Sequence, residues 1–108
     1  MDDIGGVPRG HLDLLLLATL RRLGEAHGYA LVAAVRQASD GAFSPAEGTV
    51  YPALHRLERG GALVGRIEAD GARGRRVYRL TGAGEVLLAE RRRSWQALAR
   101  AMDAVLDP

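Results

Sequence analysis

Four arginines, Arg73, Arg75, Arg76 and Arg79, fall within seven residues of this chain. All 15 of its Lys+Arg positions are arginine. A guanidinium is a planar fork that matches phosphate oxygens and guanine edges. Codon bias in a source genome would give the same preference over lysine, so the placement of the arginines carries more weight than their type. A second stretch with usable chemistry is "SPAEGTVYPALHRLE" at 44–58. Ser44 and Glu47 fit a capping box, with Pro45 at the first helical position, where its missing N–H is harmless. Val50, Leu54 and Leu57 then face inward. Gly48, Tyr51, Pro52, His55 and Arg59 form an outward ribbon at helical spacing. With Thr49, that face offers a phenol, a hydroxyl and an imidazole, which suit polar contacts in a groove. Gly48 lies four residues before Pro52, so its carbonyl is the one the proline ring crowds. Having no side chain, Gly48 absorbs that distortion and lets a phosphate or base edge come close. The competing reading is a helix broken at Gly48–Thr49 and Tyr51–Pro52.

Other candidates each have a structural alternative. Tyr29 follows His27 and Gly28 at the start of a helix, where free N–H groups and the dipole favour an anion; it reads equally as a core tyrosine. Tyr51 could anchor the neighbouring hairpin instead of meeting phosphate, and His55 could be simply solvated. Arg56 and Glu58 could pair across the surface. The wing arginines could be a solvated basic turn, a reading Asp70 favours. Catalysis lacks parts: the histidines at 11, 27 and 55 are scattered, there is no cysteine, and no metalloprotease, nucleophile-elbow or phosphate-loop motif occurs. No cofactor is expected.

The elements that position these residues follow from periodicity. Residues 11–23, "HLDLLLLATLRRL", predict a helix with Leu12, Leu15, Leu16, Leu20 and Leu23 on its core stripe. Leu14 and Leu17 fall off that stripe and call for a second apolar neighbour. A second helix is predicted from about Gly28 to Ser39, ended by Asp40 and Gly41, and a third over the 44–58 stretch, closed by Gly60 and Gly61. The period then changes: 62–69 and 75–80 read as strands around the turn chemistry of "DGARG". Thr81 caps a final long helix. On it Leu88, Trp95 and Met102 repeat at seven, as do Arg91, Leu98 and Val105, with little chain left to cover them. A second copy of the chain is the sensible cover. With 108 residues, 47% of them hydrophobic, one small core is expected. The run "LLLLA" is too short to span a bilayer and the first residues lack a signal-peptide order, so no membrane partner and a cytoplasmic location are expected.

Helix, helix, helix, hairpin, long helix is the layout of a winged helix-turn-helix. The expected class is mainly α with a small β-hairpin: a winged helix-turn-helix at 1–81, followed by a long C-terminal dimerisation helix at 82–108. Three stretches, "HGYAL" at 27–31, "GTVYPALHRLERGGALV" at 48–64 and "RGRRVYRLTGAG" at 73–84, together resemble the PadR family of bacterial transcriptional regulators. The ordered match covers residues 10–105. Departures are mild: Ala30 stands where glutamate is usual, Val50 where leucine is, and Arg76 and Val77 replace lysine and tyrosine.

The resemblance implies a homodimeric repressor of a near-palindromic double-stranded operator, read by the third helix and flanked by the wing. The residues expected at DNA are Tyr29, Ser44, Gly48, Thr49, Tyr51, His55, Arg73, Arg75 and Arg76. The resemblance also implies a small aromatic or lipophilic effector near the last helix. Trp95, Leu14, Leu17, Leu88, Leu98 and Met102 are expected at an effector pocket, or at a dry dimer interface. The alternative function is a winged-helix module that binds another protein with the same face.

Overall fold

The computed structural model describes residues 5–8, 10–70 and 73–107. The chain runs α1 (Leu12–Leu23), β1 (Glu25–His27), α2 (Gly28–Ala38), α3 (Glu47–Arg59), β2 (Leu63–Asp70), β3 (Arg73–Leu80) and α4 (Gly82–Leu106). The three strands form one antiparallel sheet in the order β1-β3-β2. β2 and β3 pair along their whole length, from Leu63 opposite Leu80 to Asp70 opposite Arg73. This is the expected mainly helical winged helix-turn-helix, with one added strand.

That strand was not anticipated. Glu25, Ala26 and His27 pair with Arg79, Tyr78 and Val77. Three residues carry no alternation that a sequence could display; the partner strand makes them a strand. It ties the start of α2 to the wing.

The core lies where α1, α2 and α3 meet the sheet. Leu16, Leu17, Leu20, Leu31, Val50 and Leu54 are fully buried there, with Leu57, Leu63 and Tyr78 close behind. α1 departs from its expected stripe. Leu17 belongs to the core, Leu15 is only half-buried and Leu23 is exposed. The sheet and α4 supply the second apolar neighbour that α1 required, and this rotates the buried face towards Leu17. Thr19 sits on the buried face because its hydroxyl donates back to the Leu15 carbonyl at 2.7 Å, which satisfies the polar group locally.

α4 begins as expected: the Thr81 hydroxyl accepts from Gly84 N–H at 3.0 Å, a side-chain N-cap. Leu88 anchors its first third to the core. Beyond that, every residue from Arg91 to Asp107 is exposed except the half-buried Ala99. Among the described residues no helix is long and apolar enough to cross a membrane.

Candidate nucleic-acid interface

α3 is one continuous helix from Glu47 to Arg59 with Pro52 inside it, so the broken-helix reading is excluded. Its inward face is Val50, Ala53, Leu54 and Leu57. Gly48, Tyr51, Pro52, His55 and Arg59 are all exposed, and Thr49 is half-buried, as the spacing required. A side chain at position 48 would meet nothing within 4 Å. The residue facing the Pro52 ring therefore also faces open solvent, and its backbone is approachable.

The start of α3 differs from expectation. Ala46 is the N-cap and gives no side-chain cap bond; Ser44 is two residues too early. Its hydroxyl instead accepts from Arg36 Nε at 3.0 Å, and its N–H donates to the Gly5 carbonyl at 2.7 Å. Pro45 is fully buried, which holds this loop against the body and delays the helix. Glu47 in the first turn still places an anion at the positive end of the dipole.

Next to α3, the start of α2 contributes an exposed aromatic. Tyr29 is 66% exposed, which rules out the core-tyrosine reading. Its ring stacks near His27, with centroids 6.5 Å apart. His27 caps the helix: its Nδ1 accepts from Ala30 N–H at 3.3 Å. Its other nitrogen, Nε2, lies 3.1 Å from Arg75 Nη1. Gly28 is buried because Tyr51 lies across it; a Cβ there would stand 2.5 Å from the Tyr51 ring. The only residue without a side chain lets the phenol of α3 rest on the first turn of α2.

These contacts assemble a cleft of about 330 Å³ lined by His27, Tyr29, Tyr51, Gly74, Arg75 and Arg76. Residues from 27 to 76, expected separately, thus share one surface between α2, α3 and the wing. His55 is exposed on α3 but does not line the cleft. The side chain of Arg73, and residues 71–72 at the tip, lie outside the described residues.

Arg76 has a partner within the chain that its strand position did not indicate. Its guanidinium bonds Glu58 of α3 through Nη2 and, at 3.2 Å, through Nε. Sequence reasoning paired Glu58 with Arg56, but Arg56 reaches Asp13 of α1 at 2.7 Å. The hydrogen bonds from Arg76 hold the Glu58 carboxyl below the usual carboxylate range. Burial is the main reason the Tyr78 phenol is raised.

The expected effector or dimer residues divide. Leu17 and Leu88 lie in the chain's own core, which removes both from any exposed stripe; the α1–α4 packing consumes them. Leu14 packs at the edge of that core. Trp95, Leu98 and Met102 stand 42%, 43% and 52% exposed. The His11 and Trp95 rings meet in a T-shaped arrangement, with centroids 5.4 Å apart. A separate open groove of about 820 Å³ runs between α1 and α4, and Leu15, Thr19 and Leu88 line it together with Arg21, Arg22 and Arg92. Trp95 is not part of it.

Residues 16–90 match the family model of the Transcriptional regulator PadR-like family. The chain belongs to this family. As a PadR-like protein it is a transcriptional regulator and not an enzyme. It is 53% identical over 53 residues to the Transcriptional regulator Rv3488 of Mycobacterium tuberculosis, a match covering 49% of this chain and about half of that protein. A PadR family transcriptional regulator from Eggerthella lenta superposes with a TM-score of 0.78 at 33% identity, covering 92% of this chain and 84% of that one. Bacillus subtilis PadR, solved in complex with operator DNA, superposes with a TM-score of 0.69 at 26% identity, over 77% of this chain and 47% of that one.

Proposed function

We propose that this PadR-like chain acts as a homodimeric repressor that reads a near-palindromic DNA operator. In this reading residues 1–81 form the DNA-binding domain and 82–108 the dimerisation helix. α3 enters the major groove, with Gly48, Thr49, Tyr51 and His55 towards the bases and sugars. Tyr29, the Ser44 loop, Arg73 and Arg75 track the backbone, and the half-sites stand about one helical turn, 10–10.5 base pairs, apart.

The observation that carries the proposal is the shared cleft, in which two phenols, an imidazole and two arginines from β1, α2, α3 and β3 line one surface. Arg75 supports it further, because its guanidinium stands at the cleft beside His27 Nε2, a cation placed where a phosphate would run. The operator complex of the Bacillus subtilis relative supports DNA as the ligand. Trp95, Leu98 and Met102 form the partner-facing side in this reading, with Leu14 as a further member of the same interface. A small aromatic effector stacking on Trp95 between two copies would release the operator by favouring a different separation of the reading heads.

The test is fluorescence anisotropy with a labelled fragment from upstream of the protein's own gene, beside a scrambled fragment, at two salt concentrations. Tight, salt-sensitive binding to the upstream fragment alone is expected. No binding to either fragment at low salt would contradict the DNA reading and favour a protein-binding module.

A further inference from the structure

A carboxylate beside a DNA-reading surface repels phosphate, yet Glu58 is built into this one. It stands near the end of α3 and gathers donors from both wing strands. Gly65 N–H of β2 donates to its Oε2 at 3.1 Å, and Arg76 of β3 donates to both of its oxygens. One side chain thus joins the reading helix to each strand of the wing. The space is prepared for it. A Cβ at position 65 would lie 2.8 Å from Arg76 Nε and 2.9 Å from Glu58 Oε2, so a side chain there would push the ends of the pair off their present path across the strand. Arg76 also lies over the Tyr78 ring, 5.9 Å from its centroid, and Tyr78 is a buried core residue. Charge-assisted bonds with a planar fork fix direction as well as distance.

We propose that Glu58 is a positioning residue for DNA reading: through Arg76 and the Gly65 amide it sets the angle between α3 and the wing, and Arg76 acts through Glu58 and not as a phosphate ligand. The inference rests on the DNA reading proposed above. It reverses the simple electrostatic expectation, by which removing an anion from this surface strengthens DNA binding.

The test compares Glu58→Gln, Gly65→Ala, Arg76→Ala and Arg75→Ala by anisotropy on the upstream and scrambled fragments over a salt series. Glu58→Gln should weaken upstream binding about fivefold, the scale of one charge-assisted contact at a partly exposed site, without weakening scrambled binding. Gly65→Ala keeps both charges but fills the space between them, and should reproduce that loss. Arg76→Ala should lose affinity with its salt slope unchanged, whereas Arg75→Ala should lower the slope by about 0.9, one phosphate contact. Upstream binding by Glu58→Gln or Gly65→Ala as tight as the parent's would overturn the proposal. So would a slope loss in Arg76→Ala equal to that in Arg75→Ala. Circular-dichroism melting establishes that each variant is folded at the assay temperature. A parent protein that fails to distinguish the two fragments defeats the DNA reading itself. A discriminating parent with an indifferent Glu58→Gln defeats only this inference.

Discussion

The head of the molecule and the far end of α4 are built to opposite rules. From α1 to Leu88 every element ends on a shared core, and bonds within the chain hold His27 and Arg76 at the cleft. From Arg91 onward α4 continues to Leu106 with Trp95, Leu98, Met102, Val105 and Leu106 all exposed. A helix of 25 residues is about 37 Å long, and only its first third is packed. The head is finished by its own residues, while the end of α4 carries an apolar stripe that stands exposed, with His11 alone of the described rings against Trp95. The difference separates two kinds of surface: one specified by contacts within the chain, the other left open along α4.

The sharpest contrast comes from truncating one leucine in each region. Leu54→Ala removes a fully buried side chain and should lower stability by about 2–5 kcal/mol in urea unfolding. Leu98→Ala should change the stability of the dilute chain by less than about 0.5 kcal/mol while weakening self-association. Equal effects would erase the distinction. Next in size, Trp95→Glu combined with Met102→Glu should raise the dimer dissociation constant at least ~30-fold, the scale of a central interface anchor. Sedimentation velocity would show monomers whose circular dichroism is retained. Gly28→Ala forces a methyl against Tyr51 and should cost about 1–3 kcal/mol, with weaker DNA binding because the phenol must leave its seat. The smallest effect is a pH dependence. Glu58 has a folded-state pKa below its unfolded value, so its contribution is present above the unfolded value of about 4.3 and is lost as pH falls through the folded one. Acid titration of unfolding should therefore show a slightly shallower decline in Glu58→Gln than in the parent.

Much of this architecture was legible in the sequence because its signals are local. The Thr81 cap, the outward ribbon of α3 and the wing each depend on residues a few positions apart. What was missed depends on distant partners. β1 exists only because β3 lies beside it. Ser44 could not be placed as a loop residue without knowing that Arg36 and Gly5 hold it. Arg56 and Glu58 were rightly seen as pairing residues but with the wrong partners, since Asp13 and Arg76 lie 43 and 18 positions away. The heptad on α4 placed Trp95, Leu98 and Met102 correctly on an exposed stripe and misplaced Leu88, because a seven-residue repeat does not reveal where the chain's own core ends.

The most direct test joins the two regions: native mass spectrometry of the protein with its upstream fragment, counting chains per duplex. Two chains on each fragment, with no stable one-chain complex, is the predicted result. A stable one-chain complex would contradict the dimer, and free duplex throughout would contradict the operator reading.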